Sequence, residues 1–154
     1  MTASQQQQAL SDPRVREAQF TIPVYGQLPF VPERASGCDI FTKDGRRILD
    51  LYGGHAVAAL GYGHPSLVRA IEEQTNKLLF QSNMVALEVR ARAAENLVRV
   101  APNGIERAFF VNSGAEANEN ALRMACVVTG RKNILAITHG FHGRTAAAAA
   151  VTWN

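Results

Sequence analysis

Ile105-Glu-Arg-Ala-Phe-Phe-Val-Asn-Ser-Gly-Ala-Glu-Ala-Asn-Glu119 is the stretch whose reading decides the fold class. Its first part holds the apolar run Ala108-Phe-Phe-Val111, typical of a strand buried in a parallel sheet. Its second part opens a helix, with Ala117, Ala121, Met124 and Val128 on one face and Gly130 as the stop. The order then repeats. Ile134-Leu-Ala-Ile-Thr138 reads as a second buried strand, and residues 145–151 as an alanine-rich helix. Strand, helix, strand, helix predicts a parallel α/β sheet. Ligands of such sheets bind beyond the carboxyl ends of the strands, so loops 112–119 and 139–144 are expected to converge on one edge.

Upstream, Leu67, Ile71, Gln74 and Leu78 share a helical face after Pro65. A second face carries Leu87, Ala91, Ala94, Leu97 and Ala101, and Pro102 and Gly104 end it. The chain breaks repeatedly at Gly53-Gly54 and at Gly61-Tyr-Gly63. Two β-prone runs flank Asp44-Gly45, which predicts a hairpin because tight turns need the positive φ that glycine tolerates. Pro13, Pro23, Pro29 and Pro32 predict an extended, irregular stretch over 13–32, and the glutamine-rich residues 1–12 read as a loose arm.

Composition narrows the class. Of 154 residues 47% are hydrophobic and 19% charged, which is globular and not disordered. Nothing approaches the roughly eighteen consecutive apolar residues of a membrane span, and the polar start shows no signal peptide. The net charge of +3 is spread out, with no basic cluster longer than Arg46-Arg47 or Arg131-Lys132, so these pairs read as solvated surface and no nucleic-acid partner is expected. Cys38 and Cys126 are too few for a disulfide scaffold and lack the spacing of a metal site, which predicts a reduced, cytoplasmic protein.

Two readings of Ser113-Gly-Ala-Glu116 stand side by side. Serine with glutamate three residues on is a capping box. The same helix start presents free amides and a positive dipole end to an anion such as a phosphate, and a cap can leave the outermost amides available. Phe141, among glycines on a loop, offers a face for a planar ligand, and Arg144 matches a carboxylate with its forked guanidinium, or else lies in solvent at a helix start. His139 and His142 have no third ligand at helical spacing, so no metal is expected. Gly61-Tyr-Gly63-His-Pro65 completes no dinucleotide loop, and no phosphate-binding P-loop or hydrolase serine elbow occurs.

Together, Phe110-Val-Asn-Ser-Gly-Ala-Glu-Ala-Asn-Glu119 and Phe141-His-Gly-Arg-Thr145 resemble the class III (ω-amino acid) aminotransferases, which depend on pyridoxal 5′-phosphate (PLP). Asp44-Gly45, Ile48-Leu-Asp50, Gly61-Tyr-Gly-His-Pro65 and Gln81-Ser-Asn83 match in the same order. The likeness covers roughly residues 20 to 154, and the Phe-His-Gly-Arg-Thr form is most similar to the acetylornithine and 4-aminobutyrate types. It implies the N-terminal portion of the type I PLP-dependent transferase fold, α/β in class. The arm and small-domain hairpin would occupy 1–60, and the first part of the large PLP-binding domain 61–154.

By the same resemblance Ser113, Gly114 and Ala115 would hold the cofactor phosphate, Phe141 would stack on the pyridine ring and His142 would lie beside it. Arg144 would receive a substrate carboxylate and Tyr25 would line the substrate pocket. The implied reaction passes an amino group from an ω-amino acid or similar amine to a 2-oxo acid such as 2-oxoglutarate. Residues 81–83 would sit near the interface of a homodimer, or of a complementary chain if the enzyme is split. Family members are longer. None of Lys43, Lys77 and Lys132 matches the family's Schiff-base lysine, and the acid that pairs with the pyridinium nitrogen has no counterpart, so the chain alone is expected not to transaminate. A non-catalytic phosphate-binding fragment or remnant is the alternative. In the type I fold the two strands present here are not neighbours, so the isolated chain is expected to fold poorly or aggregate.

Overall fold

Asp12 starts the first element. Its carboxylate accepts the Arg14 amide at 2.9 Å, Pro13 takes the first helical position, and α1 (Pro13–Phe20) follows. The stretch 13–32 is therefore not irregular throughout, as its prolines predicted. Pro13 begins a helix, and only 21–31, which contains Pro23 and Pro29, lacks regular structure. The computed structural model describes residues 11–153, so of the arm expected at 1–12, residues 1–10 lie outside the described residues, and Asp12 belongs to the cap of α1. Contacts divide the chain into two units, Met1–Gln81 and Ser82–Asn154.

In the first unit β1 (Pro32–Ser36), β2 (Asp39–Thr42) and β3 (Arg47–Leu49) form an antiparallel sheet in sequence order. Ile40 lies opposite Ala35 on one side and Ile48 on the other, and the Arg34 guanidinium covers the Phe41 ring at 3.7 Å. The hairpin predicted at Asp44-Gly45 is present. Thr42 O accepts the Gly45 amide, and Thr42 Oγ1 accepts the Arg46 amide, both at 2.9 Å, so this polar side chain is buried with its partners in place.

After the sheet, Gly53–Ala56 (α2) forms one left-handed turn in which His55 and Ala56 also have positive φ, at 59° and 62°. Asp50 anchors its start by accepting the Tyr52 and Gly53 amides, each at 2.9 Å, and the Tyr62 hydroxyl at 2.5 Å. Tyr62 pairs with Gly37 by two backbone bonds. Only glycine fits at 61, because a Cβ there would stand 2.7 Å from Gly37 O at a φ of +75°. Pro65 then opens α3 (Pro65–Lys77), as its position predicted.

The second unit carries α4 (Glu88–Val100), α5 (Gly114–Thr129) and α6 (Ala146–Ala150). Gly130 ends α5 in the left-handed conformation at φ 67°. The two expected strands are a correction. Neither 105–111 nor 134–138 joins a ladder among the described residues, and no parallel sheet forms. An apolar run marks what a segment buries, whereas a strand also needs a neighbour for its backbone groups. Phe109 is 69% exposed and Leu135 99%. Ala148 is the one buried hydrophobic residue among the described residues, in the contact of α5 with α6. No helix among them is long and apolar enough to cross a membrane.

Candidate active site

The capping reading of the α5 start is realised, in a form that leaves the outermost amides open. Ser113 is the N-cap, with extended backbone, and its Oγ accepts the Glu116 amide at 3.2 Å. Glu116 turns back onto Asn112, accepting its backbone amide at 2.7 Å and its side-chain Nδ2 at 3.3 Å. The cap is thus closed one residue further out than in the usual box. The amides of Ser113, Gly114 and Ala115 make no hydrogen bond among the described residues. Space in front of Gly114 is open, since a Cβ there would meet nothing within 4 Å. The Ser113 hydroxyl can donate while it accepts. Free amides, a hydroxyl and the positive end of a sixteen-residue helix form a donor set that fits a phosphate.

Loop 139–144 comes to this same helix end. Gly143, at φ +130°, packs so closely on α5 that a Cβ would lie 2.5 Å from Ala115 Cβ. His142 O accepts Asn118 Nδ2 at 2.7 Å, and the His142 amide donates to Thr152 Oγ1 at 2.9 Å. The imidazole of His142 folds back over Gly140, whereas His139 faces Trp153 with ring centroids 4.2 Å apart. The two histidines are held by different neighbours. Phe141 is exposed, and the Arg144 guanidinium carbon stands 5.4 Å from its ring centroid. Thr145 Oγ1 donates to Glu119 Oε2 at 2.7 Å. With the Ala148 and Ala147 amides and Arg123, that hydroxyl holds the Glu119 carboxyl below its ordinary range.

The structure therefore brings Ser113, Gly114, Ala115, Phe141, His142 and Arg144 into one cluster within the second unit, without the sheet that was expected to align them. Tyr25 belongs to the first unit, where it lines a groove with Glu17, Thr21 and Gln27. Sequence reasoning missed Asn118, Glu119 and Thr152. Helical spacing carries a signal for the first two, which share the face of Ala115 one turn on.

The aminotransferase class-III family profile matches residues 22–154. The chain belongs to the class-III aminotransferases. The [LysW]-aminoadipate semialdehyde transaminase of Deinococcus radiodurans is 36% identical over 138 residues, which is 90% of this chain and 32% of that protein. The acetylornithine aminotransferase of Archaeoglobus fulgidus is 40% identical, over 89% of this chain and 36% of its own length. Among solved structures, the omega transaminase from Pseudomonas jessenii, in complex with PMP, superposes with a TM-score of 0.82 at 26% identity, covering 92% of this chain and 34% of that one. Taurine:2-oxoglutarate aminotransferase from Bifidobacterium kashiwanohense, in complex with PLP and glutamate, gives 0.81 at 31% identity, over 88% and 31%. The chain thus spans about a third of the length of the class-III relatives it matches. Its fold is the N-terminal portion of the type I PLP-dependent transferase fold, α/β in class, and PLP is the cofactor of this family.

Proposed function

We propose that this class-III chain contributes the phosphate and ring cradle of a PLP-dependent aminotransferase, which passes an amino group from an ω-amino acid or similar amine to a 2-oxo acid such as 2-oxoglutarate. The observation that carries the reading is the seating of Gly143 on Ala115. It sets the loop bearing Phe141, His142 and Arg144 against the helix end whose amides suit an anion.

PLP, when bound, supplies the electron sink for the transfer. The chain's own groups bind and orient. Amides of Ser113, Gly114 and Ala115 and the Ser113 hydroxyl hold the phosphate at the positive end of α5. Phe141 covers one face of the ring, and His142 lies alongside. Arg144 takes the substrate carboxylate through its fork, which places a remote amine at a fixed distance from it. Tyr25 contributes to the substrate pocket, and the reactive lysine comes from outside these 154 residues.

Residues 61–154 are the first part of the cofactor-binding domain in this reading, and 81–83 lie near the interface of a homodimer or a complementary chain. The relatives named for acetylornithine and aminoadipate semialdehyde support donors whose amine is remote from a carboxylate. Free Cys38 and Cys126 are compatible with a cytoplasmic enzyme. The test is a PLP titration of the native assembly that contains this chain, followed by an assay of glutamate formation from 2-oxoglutarate with ω-amino donors. PLP-dependent turnover supports the reading. Tight PLP binding without turnover on any such donor leaves the cradle as a non-catalytic binding module, and no PLP binding overturns both.

A further inference from the structure

Thr145 stands at the N-cap of α6 with extended backbone, yet its hydroxyl caps nothing in its own helix. It donates to Glu119 Oε2, and the same oxygen accepts the Ala147 amide at 2.8 Å and the Ala148 amide at 3.2 Å. A side chain of α5, 26 to 29 residues away in sequence, thus satisfies the orphan donors of a neighbouring helix. All three donors meet one oxygen, to which an ionised carboxylate brings a negative charge and glutamine only a neutral carbonyl. α6 is five alanines, and a run of methyl groups offers little shape to fix its position. A charge-assisted bond from α5 supplies what the side chains lack. One residue before Glu119, Asn118 holds His142 O at 2.7 Å, and from the other side Thr152 Oγ1 contacts Ala148 O at 2.9 Å and Gly143 O at 3.2 Å.

We propose that Glu119 is a positioning residue: by capping α6 from α5 it sets where Phe141, His142 and Arg144 stand relative to the Ser113, Gly114 and Ala115 amides. The inference rests on reading those residues as the cofactor cradle. The bonded Glu119 oxygen is taken up by Thr145, Ala147 and Ala148, so its effect passes through the turn it holds.

The test uses the native assembly carrying Glu119→Ala, Glu119→Gln or, as a control on the same helix, Asn120→Ala, whose side chain donates to Glu116 O within α5. Three quantities are read: amide hydrogen exchange at 145–148, PLP affinity, and the visible circular dichroism of bound PLP, which reports its orientation. E119A is expected to speed exchange at Ala147 and Ala148, to weaken PLP binding on the order of tenfold, and to change the dichroism. E119Q, which keeps one acceptor oxygen, is expected to weaken PLP about threefold with an unchanged Tm. N120A should match the wild type in PLP affinity and dichroism. Wild-type PLP affinity and dichroism in E119A overturn the role of Glu119 alone, and if E119A does not fold, the same result in E119Q overturns it. A wild-type assembly that binds no PLP overturns the functional reading, and this role with it.

Discussion

Gly143 is where two constraints meet in one residue. Its φ of +130° lies outside what an L side chain adopts, and its Cα faces Ala115 with no room for a methyl group. Gly143→Ala must therefore push loop 139–144 off α5. The expected cost is roughly 2–3 kcal/mol, from backbone strain and overpacking together. PLP affinity of the native assembly should fall with it, measured by titration of the cofactor's absorbance. Affinity at the wild-type level would mean that the seating of this loop does not build the cradle. Arg144 gives the complementary result. Arg144→Ala removes the fork, and with it the guanidinium beside the Phe141 ring, and should raise KM for a carboxylate-bearing donor about 10–100-fold. A simple alkyl amine, which has no carboxylate to lose, should be affected far less. Equal losses on both donors would remove Arg144 from the substrate carboxylate.

The turn between β3 and α3 is held at the scale of elements by one carboxylate. The Tyr62 hydroxyl first, then the Gly53 and Tyr52 amides, hold Asp50 below its ordinary pKa, and the same bond raises Tyr62 above its own. A depressed acid stabilises above its unfolded value, and that contribution is lost as pH falls through the folded one, here below about pH 4. A raised phenol acts at the other end. Its contribution is complete below about pH 10 and is lost as pH rises through the elevated value. Asp50→Asn should return Tyr62 toward an ordinary titration in ultraviolet difference spectra and weaken the acid dependence of exchange at the Gly53 amide. A Tyr62 that titrates identically in both proteins would show that the bond is not made in solution. Such long-range ties were the least legible features of the sequence. Pro65, Gly130 and the period of α3, α4 and α5 could be read directly, because capping and amphipathicity are local. The N-terminus of α1 was also written locally, in Asp12-Pro13, but was hidden by the prolines that follow. For the cradle, residue types at 113–115 and 141–144 marked the chemistry. The Glu119 cap joins residues 26 or more positions apart, which no local rule reaches.

On the scale of the whole molecule, the described residues leave most of their large apolar side chains in water. Leu51 is 89% exposed, Val128 84% and Leu135 99%, while Ala148 is the one hydrophobic residue among the described residues that is fully buried. Folding must offset a conformational entropy cost of about 1–2 kcal/mol per residue, and apolar burial is the main term that does so. The described residues of the 154-residue polypeptide supply little of that term by themselves. Segments 105–111 and 134–138 add unpaired backbone to the exposed apolar surface, the combination that recruits other chains edge to edge. The isolated polypeptide should therefore bind a hydrophobic dye strongly, elute as a broad or aggregated species, and show no cooperative thermal transition. Adding a polypeptide that completes the class-III fold should suppress the dye signal and produce a single transition. This follows because α1 and α5 already carry side-chain N-caps and α5 its glycine stop, and what the helices lack is a surface to pack against. A monodisperse sample of the chain alone that melts cooperatively would instead mean that its apolar faces find one another, and that the two units fold without further partners.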